Sequence, residues 1–522
     1  MLLSRGTAAF VALCASFADL SIAIPATASQ PNTSPSHCCD ILSSALPKIT
    51  YTQNQNKQLY QQDVQSYFSV QDRLTPNCFV KPSNTQDVSQ IVGLLSKNSC
   101  QFAIRSGGHG LLVGSSNIAK GVTIDLSAMN KVTLSTDKTT AAVQPGAKWL
   151  HVYETLDPLG YAIPGGRAGD VGVGGLTSGG GNSFFASRYG FVCDNVKNFE
   201  VVLGSGQIVQ ANNKTNPDLF TALKGSQNNL GIITRFDIVA FEQGDLWGGT
   251  AYYDNTTIPH QLEAFVDFTN NIEKDPYGSL IFVWLYFPNQ PVVIDNIYDY
   301  TGKFANNQSS FPPPFKAFSN TSAIGPPVQN TLRLANLSSL TGELNSPPDL
   351  SNLYATLTFT NDLKVLQQVV KILEKEFEYY KQNPFYSYLS VQFQPLPRVF
   401  TEHSIERGGN VLGLDRYHDN NIFFLLDVAW NGSQYDAQVR TLADNVFTNL
   451  TTYLKSANAL KDFQYINYAF QDQDPLGGYG NAALSKIKAA STKYDPGQVF
   501  QKLVPGGFKL ATAGKGTPIG LP

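Results

Sequence analysis

Arg105-Ser106-Gly107-Gly108-His109-Gly110 sets an imidazole among glycines. Without Cβ atoms to hinder approach, the backbone N–H groups of such a loop can converge on a phosphate. A histidine there, taken alone, carries no special chemistry. A second stretch, from Gly165 to Gly181, is too glycine-dense to be a regular element throughout and must serve close backbone approach. A third loop, Gly225-Ser226-Gln227-Asn228-Asn229-Leu230-Gly231, is polar. No Gly-Lys-Ser/Thr completes a P-loop, and Gly172-x-Gly174 lacks the βαβ context and downstream acid of a dinucleotide fingerprint. Two glycine loops and a polar one imply an elongated nucleotide ligand without identifying it. Other chemistries find no support. No Gly-x-Ser-x-Gly elbow lies between strand and helix, and Gly204-Ser205-Gly206 reads as a hairpin turn. No Cys-x-x-Cys or His/Cys cluster has zinc spacing, so no metal is expected. His151, His260, His403 and His418 have no acid–base partner at useful spacing and read as structural or surface residues.

The elements that must position these loops alternate in an α/β manner. Asn84-x-x-Asp87 can cap a helix carrying Val88, Ile91, Val92 and Leu95 on one face, and Phe102-Ala103-Ile104 reads as the buried strand feeding the histidine loop. Strands are expected at 122–124 and 141–143, a helix at 149–156, a hairpin over 199–209 and a helix at 216–223. The polar loop leads into a strand at 232–236. From about Phe241 glycine clusters give way to aromatics, with strands at 280–286 and 422–426 and helical spacing over 363–380. Near Tyr465 the texture changes again, before a turn-rich tail from Tyr494-Asp495-Pro496.

A chain of 522 residues exceeds the roughly 250–300 that one hydrophobic core usually serves, so two domains or a composite fold are expected. With 42% hydrophobic and 15% charged residues it is not a disordered chain, and a net charge of -3 gives no reason to expect nucleic acid. Arg5, an apolar run to about Leu20 and Ala26-Thr27-Ala28 read as a signal peptide over 1–28, with Ser21-Ile22-Ala23 a second cleavage choice. The run is too short to span a bilayer and contains Asp19, and no later segment would cross, so no membrane partner is expected. Secretion, or delivery to a vesicle or vacuole, fits the sequons at Asn32, Asn213, Asn255, Asn307, Asn320, Asn336, Asn431 and Asn449. Loss of the leader removes Cys14 and leaves Cys38, Cys39, Cys78, Cys100 and Cys193, an odd set in which at least one thiol stays free or pairs between chains.

Read in order, R-S-G-G-H at 105–109, P-G-G-R-x-G-D-V-G-V-G-G-L-x-S-G-G-G at 164–181 and R-Y-G-x-x-C-D-N-V at 188–196 resemble the vanillyl-alcohol-oxidase/p-cresol-methylhydroxylase flavoproteins, and most nearly the fungal berberine-bridge-enzyme-like oxidases. The likeness spans about 78–241 and resumes at Tyr465-Ile466-Asn467-Tyr468 and at 494–500. It implies an α+β fold: a two-part FAD-binding domain of the p-cresol methylhydroxylase type, and a substrate domain with an antiparallel sheet covered by helices. The expected bounds are an N-terminal arm at 29–73, FAD-binding domain at 74–244, substrate domain at 245–460 and a C-terminal segment at 461–522 returning to the FAD domain.

The resemblance implies an FAD bonded through its 8α-methyl group to His109, with Arg105, Ser106, Gly107, Gly108, Gly110, Ala168, Asp170, Val171, Gly174, Gly175, Gly179, Gly180, Ile233, Tyr465 and Asn467 around it. Many relatives have a second tether, a cysteine where this chain has Ala168, so a single link is expected. Cys193 is too far along to replace it and reads as a small buried thiol. Val171 resembles the oxygen-permissive type, which favours an oxidase using dioxygen and giving hydrogen peroxide. Tyr468 is implied as the base that removes the substrate proton while hydride passes to flavin N5. Without the family it is one of 24 tyrosines and reads as a core aromatic. A tyrosine, ordinarily near pKa ~10, needs a positive charge or donors beside it to serve so. Cys39 with Cys100 is the bridge the resemblance suggests.

The expected substrate is a small alcohol, phenol or amine-bearing secondary metabolite, handled by a monomer. A carbohydrate oxidase is the alternative, with Trp284, Tyr286 and Trp430 as candidate stacking platforms. A secreted flavin- or sugar-binding protein without turnover is the alternative of another class. Gln394-Pro395-Leu396-Pro397 and residues 408–413 recur in related oxidases and are expected to shape the substrate pocket.

Overall fold

The computed structural model describes residues 35–304, 310–319, 322–382 and 384–515. The expected signal peptide, Cys14 and the sequons at Asn32, Asn307 and Asn320 lie outside them. Asn84 caps the helix Thr85–Lys97 by accepting the Asp87 N–H at 2.9 Å, and Val88, Ile91, Val92 and Leu95 are buried, as their spacing requires. The helix provides the crossover that parallel strands need. Cys78–Val80, Val122–Asp125 and Phe102–Arg105 pair in parallel, with Thr50–Tyr51 antiparallel at the edge. The chain's end returns here. The Phe102 N–H donates to the Leu503 carbonyl at 2.8 Å, and Phe500 packs edge-on against Phe102.

A second, antiparallel sheet follows in the order Val132–Leu134, Thr140–Val143, Ile232–Val239, Val196–Val202, Ile208–Asn212. It contains the expected hairpin and the strand that leaves the polar loop. The expected helices form at Trp149–Leu156 and Pro217–Leu223.

The third sheet has nine strands, all antiparallel, with Leu246–Asp254, Val293–Tyr300, Gly278–Tyr286, Tyr388–Leu396, Asn421–Trp430 and Ser351–Thr360 as its long members. Leu363–Gln382 buries Leu366, Val369, Val370, Leu373, Phe377 and Tyr380, the stripe by which an amphipathic helix covers a sheet. Alternation along the strands then divides the residues between two faces. Phe282, Trp284 and Tyr286 point at the helices, where Trp284 and Tyr286 meet Phe377 and Phe282 meets Phe265. Ile281, Gln392, Leu425 and Asp427 face the opposite side.

Two expectations are corrected. Cys38 bonds to Cys100 and Cys39 to Cys78, so the pairing of Cys39 with Cys100 is wrong. Both cysteines sit on the helix Pro35–Ala45, where neighbouring residues project about 100° apart, so they cannot share one partner's direction. Cys193 is the free cysteine among the described residues and is buried, which pushes its thiol well above the usual range. Trp284, Tyr286 and Trp430 are core residues rather than stacking platforms. Trp284 Nε1 donates to Asn255 Oδ1 at 2.6 Å and Trp430 Nε1 to Asp436 Oδ1 at 2.8 Å, both on the helix side.

Candidate active site

The two glycine loops meet backbone to backbone. A Cβ added at Gly107 would lie 2.6 Å from Gly172 Cα, and one at Gly172 would strike the Gly107 backbone. Ser106 Oγ joins them, donating to the Pro145 carbonyl at 2.5 Å and accepting the Gly174 N–H at 3.1 Å. Backbone cannot yield as a flexible side chain can, so Gly172→Ala is expected to cost about 3 kcal/mol, the upper end of overpacking, and to release the loop's ligand. Denaturant unfolding and the flavin content of the purified variant would measure the two effects.

Behind these loops lies a cavity of about 420 Å³, within the range of small-molecule sites. Of the residues expected at the cofactor, it is lined by Ser106, Gly107, Gly108, His109, Gly110, Ala168, Val171, Gly174, Gly175, Ile233, Tyr465 and Asn467, with Tyr468 alongside. Four lie outside the lining. Arg105 turns away: it donates to the Asp63 carbonyl at 3.1 Å and Ser66 Oγ at 2.7 Å and stacks on Tyr67, pinning the N-terminal arm to the loop. Gly179 gives room to Asn467, and Gly180 to Leu412 and Tyr465. Asp170 stands beside His109.

The His109 ring is held on two sides, and a backbone bond ties its loop to one of them. Phe68 stacks on it at 3.9 Å with the planes 8° apart, and the Phe68 N–H donates to the Gly108 carbonyl at 3.0 Å. His109 Nε2 faces Asp170 Oδ2 at 3.5 Å. His109 Nε2 and Asp170 Oδ1 are buried, and neither makes a hydrogen bond.

Tyr468 has the neighbours a basic tyrosine needs. Arg167, 8% exposed, donates from Nη2 to Tyr468 Oη at 2.9 Å and to Gln394 Oε1 at 2.7 Å. Gln394 and Tyr468 are 3.3 Å apart, and Gln394 Nε2 donates onward to Gln392 Oε1 at 3.1 Å. The guanidinium is thus a positively charged donor beside the phenol oxygen. Tyr465 stands edge-on to Tyr468 at 4.8 Å, and its own hydroxyl accepts the Asn182 N–H at 2.8 Å and Asn467 Nδ2 at 3.1 Å. Burial pushes Tyr465 up from the ordinary tyrosine range, so it stays neutral and structural.

Sequence reasoning passed over Arg167, although it stood inside the quoted Gly-Gly-Arg motif. It gave Gln394 a pocket but no role, and it missed Phe68 altogether. It also missed Asp427, whose only signal was a carboxylate beside the apolar run at 422–426. Burial pushes the Asp427 carboxyl up to about 7.

Comparison with known proteins places the chain among FAD-dependent enzymes. Residues 76–212 match the FAD binding domain family. The FAD-dependent monooxygenase sdcF of Emericella nidulans is 39% identical over 485 residues, covering 91% of this chain and 98% of that protein. Among solved structures, berberine bridge enzyme of Eschscholzia californica superposes with a TM-score of 0.69 at 16% identity, covering 89% of this chain and 97% of that one. Glucooligosaccharide oxidase of Acremonium strictum, described with a 6-S-cysteinyl, 8α-N1-histidyl FAD, gives 0.70 at 18% identity, covering 91% and 99%. The fold is that of the vanillyl-alcohol-oxidase/p-cresol-methylhydroxylase flavoproteins, and the protein is an FAD-dependent oxidoreductase. The chain belongs to the fungal berberine-bridge-enzyme-like family within that class.

The residues present fit FAD. The Gly107–Gly172 contact is a cradle closed to any Cβ, the His109 ring lines the cavity beside it, and Gln227 and Asn228 of the polar loop line the same cavity.

Proposed function

We propose that this chain is a secreted oxidase that takes hydride from a small alcohol, phenol or amine-bearing metabolite, with FAD bonded singly through His109 and dioxygen reduced to hydrogen peroxide. The observation that carries the reading is the Arg167–Tyr468–Gln394 cluster, which opens into the same cavity as His109. Bound FAD supplies the two-electron acceptor. Tyr468 Oη receives the substrate's hydroxyl proton, and Arg167 stabilises the negative charge that makes it a base. Tyr465 and Asn467 fix the ring that carries it. Ala168 offers no second tether, and Val171 lines the cavity where dioxygen must enter. Two disulfides and exposed sequons at Asn213, Asn336, Asn431 and Asn449 support passage through an oxidising, glycosylating compartment.

Asp170 opposite Nε2 leaves Nδ1 as the nitrogen available for bonding, while Phe68 sets the ring plane. Asp170→Asn is therefore expected to lower the fraction of protein carrying acid-stable flavin several-fold without unfolding it. In-gel flavin fluorescence after denaturation, against total flavin before it, measures that fraction.

A monooxygenase reaction is the second reading, favoured by the names of relatives such as sdcF. Isotope-labelled dioxygen separates the two: label in peroxide alone supports the oxidase, and label in the organic product supports the monooxygenase. A carbohydrate substrate remains the alternative for the same chemistry. A binding protein without turnover would stay yellow under every substrate tried anaerobically.

A further inference from the structure

Asp427 is a carboxylate in a strand that is buried along its whole length, Asn421–Trp430. Its Oδ2 accepts from Ser390 Oγ at 3.3 Å, and the Tyr388 phenol lies near the same carboxyl. Both neighbours are neutral. Asp427 Oδ1 is buried with no partner, and the residue lines the cavity. A buried acceptor left unpaired is costly, so a ligand donor is the expected occupant.

Strand register sets its distance from the reacting end. Asp427 pairs with Ser390 on one side and Tyr354 on the other. Ser390 lies four residues before Gln394, about 13 Å along the strand. Tyr354 borders the interval, its ring edge-on to Tyr468 at 6.0 Å. Apolar walls are supplied by Ile281, Ile297, Leu344 and Leu425. The polar side chains lining the cavity beside them are Gln392, whose Oε1 already accepts from Gln394, with Tyr354 and Ser346. A sugar carries hydroxyls along its whole length, more than these few groups can pair against such walls. A ring system with its main polar groups at its two ends matches.

We infer that the cavity takes a flat, largely apolar ring system whose oxidised carbon lies at Tyr468 and whose distal hydroxyl donates to Asp427 Oδ1. This rests on the oxidase reading and names the substrate class for that site. For an aromatic alcohol the carbon loses a hydride and its oxygen a proton, giving the aldehyde, and under air dioxygen takes both electrons as hydrogen peroxide.

Two probes of suitable length differ only at the distal end: 2-naphthalenemethanol and 6-hydroxy-2-naphthalenemethanol. The full-length holoenzyme, Asp427→Asn and Asp427→Leu would be compared by peroxide release and by perturbation of the flavin spectrum. The wild type is expected to favour the hydroxylated probe at least tenfold in kcat/KM, because a site built around a hydroxyl rejects the analogue lacking it. Asp427→Leu is expected to bring that ratio to about one, and Asn, which can still accept, to keep part of it. Unchanged flavin absorbance in both variants shows that they fold. Equal use of the probes by wild type, a ratio untouched by Asp427→Leu, no response to either probe, or preference for cellobiose would each overturn the inference. Those outcomes are read on yellow protein. A colourless wild type would instead refute the flavin reading, and the inference with it.

Discussion

Tyr468→Phe is expected to lower kcat by a factor of roughly 10² to 10⁴, the usual worth of a positioned general base. The substitution removes one oxygen atom and keeps the ring that packs edge-on against Tyr465 and Tyr354. Flavin content and stability should therefore match the wild type, and the loss should fall on the chemical step. Anaerobic rates of flavin bleaching isolate that step from oxygen reactivity. Arg167 acts through Tyr468, so Arg167→Lys should give a smaller loss of kcat with flavin content unchanged. Lysine has a shorter stem than arginine, so its ammonium cannot sit where Nη2 reaches Tyr468 and Gln394 together. If Tyr468→Phe bleached at the wild-type rate, the base would lie elsewhere and Tyr468 would be the core aromatic that composition alone suggests.

His109→Ala should abolish acid-stable flavin completely, since Ala168 leaves no second tether in the loop facing it. Non-covalent FAD should still enter, because the cradle is backbone from Gly107 and Gly172 and does not depend on the imidazole. The variant is expected to purify with flavin that is lost on acid precipitation and to oxidise substrate more slowly. The empty space against Phe68 will also cost stability, so the comparison belongs with His109→Asn as well as His109→Ala. Wild-type levels of acid-stable flavin in either variant would refute the bond at His109.

The glycine loops were legible in the sequence because their requirement is local. A residue without Cβ is needed wherever backbone touches backbone, and that need is written at Gly107 and Gly172 themselves. The helix Trp149–Leu156 and the strand after the polar loop were legible from periodicity for the same reason. What depends on partners distant in sequence was not. Arg167 acquires its role from Tyr468, 301 residues away, and Phe68 from a loop beyond the arm in which it lies. The disulfide pairing failed because adjacent cysteines on a helix diverge, a phase that the resemblance did not resolve. The aromatic platforms failed because alternation assigns Trp284 and Tyr286 to one face of a strand without saying which face the helices cover. Asp427 was hidden in the same way: only the register with Ser390 and Tyr354 turns a lone carboxylate into one end of a cavity.

The bond to His109 is tested most directly by digesting the wild-type protein with trypsin after acid denaturation and tracing the flavin fluorescence. Cleavage after Arg105 and Lys120 releases the peptide from Ser106 to Lys120, which contains His109. The expected result is a single yellow peptide of that sequence, heavier by one FAD or its hydrolysis product, with the added mass on His109. Flavin recovered free in the acid supernatant, or attached to any other peptide, would contradict it.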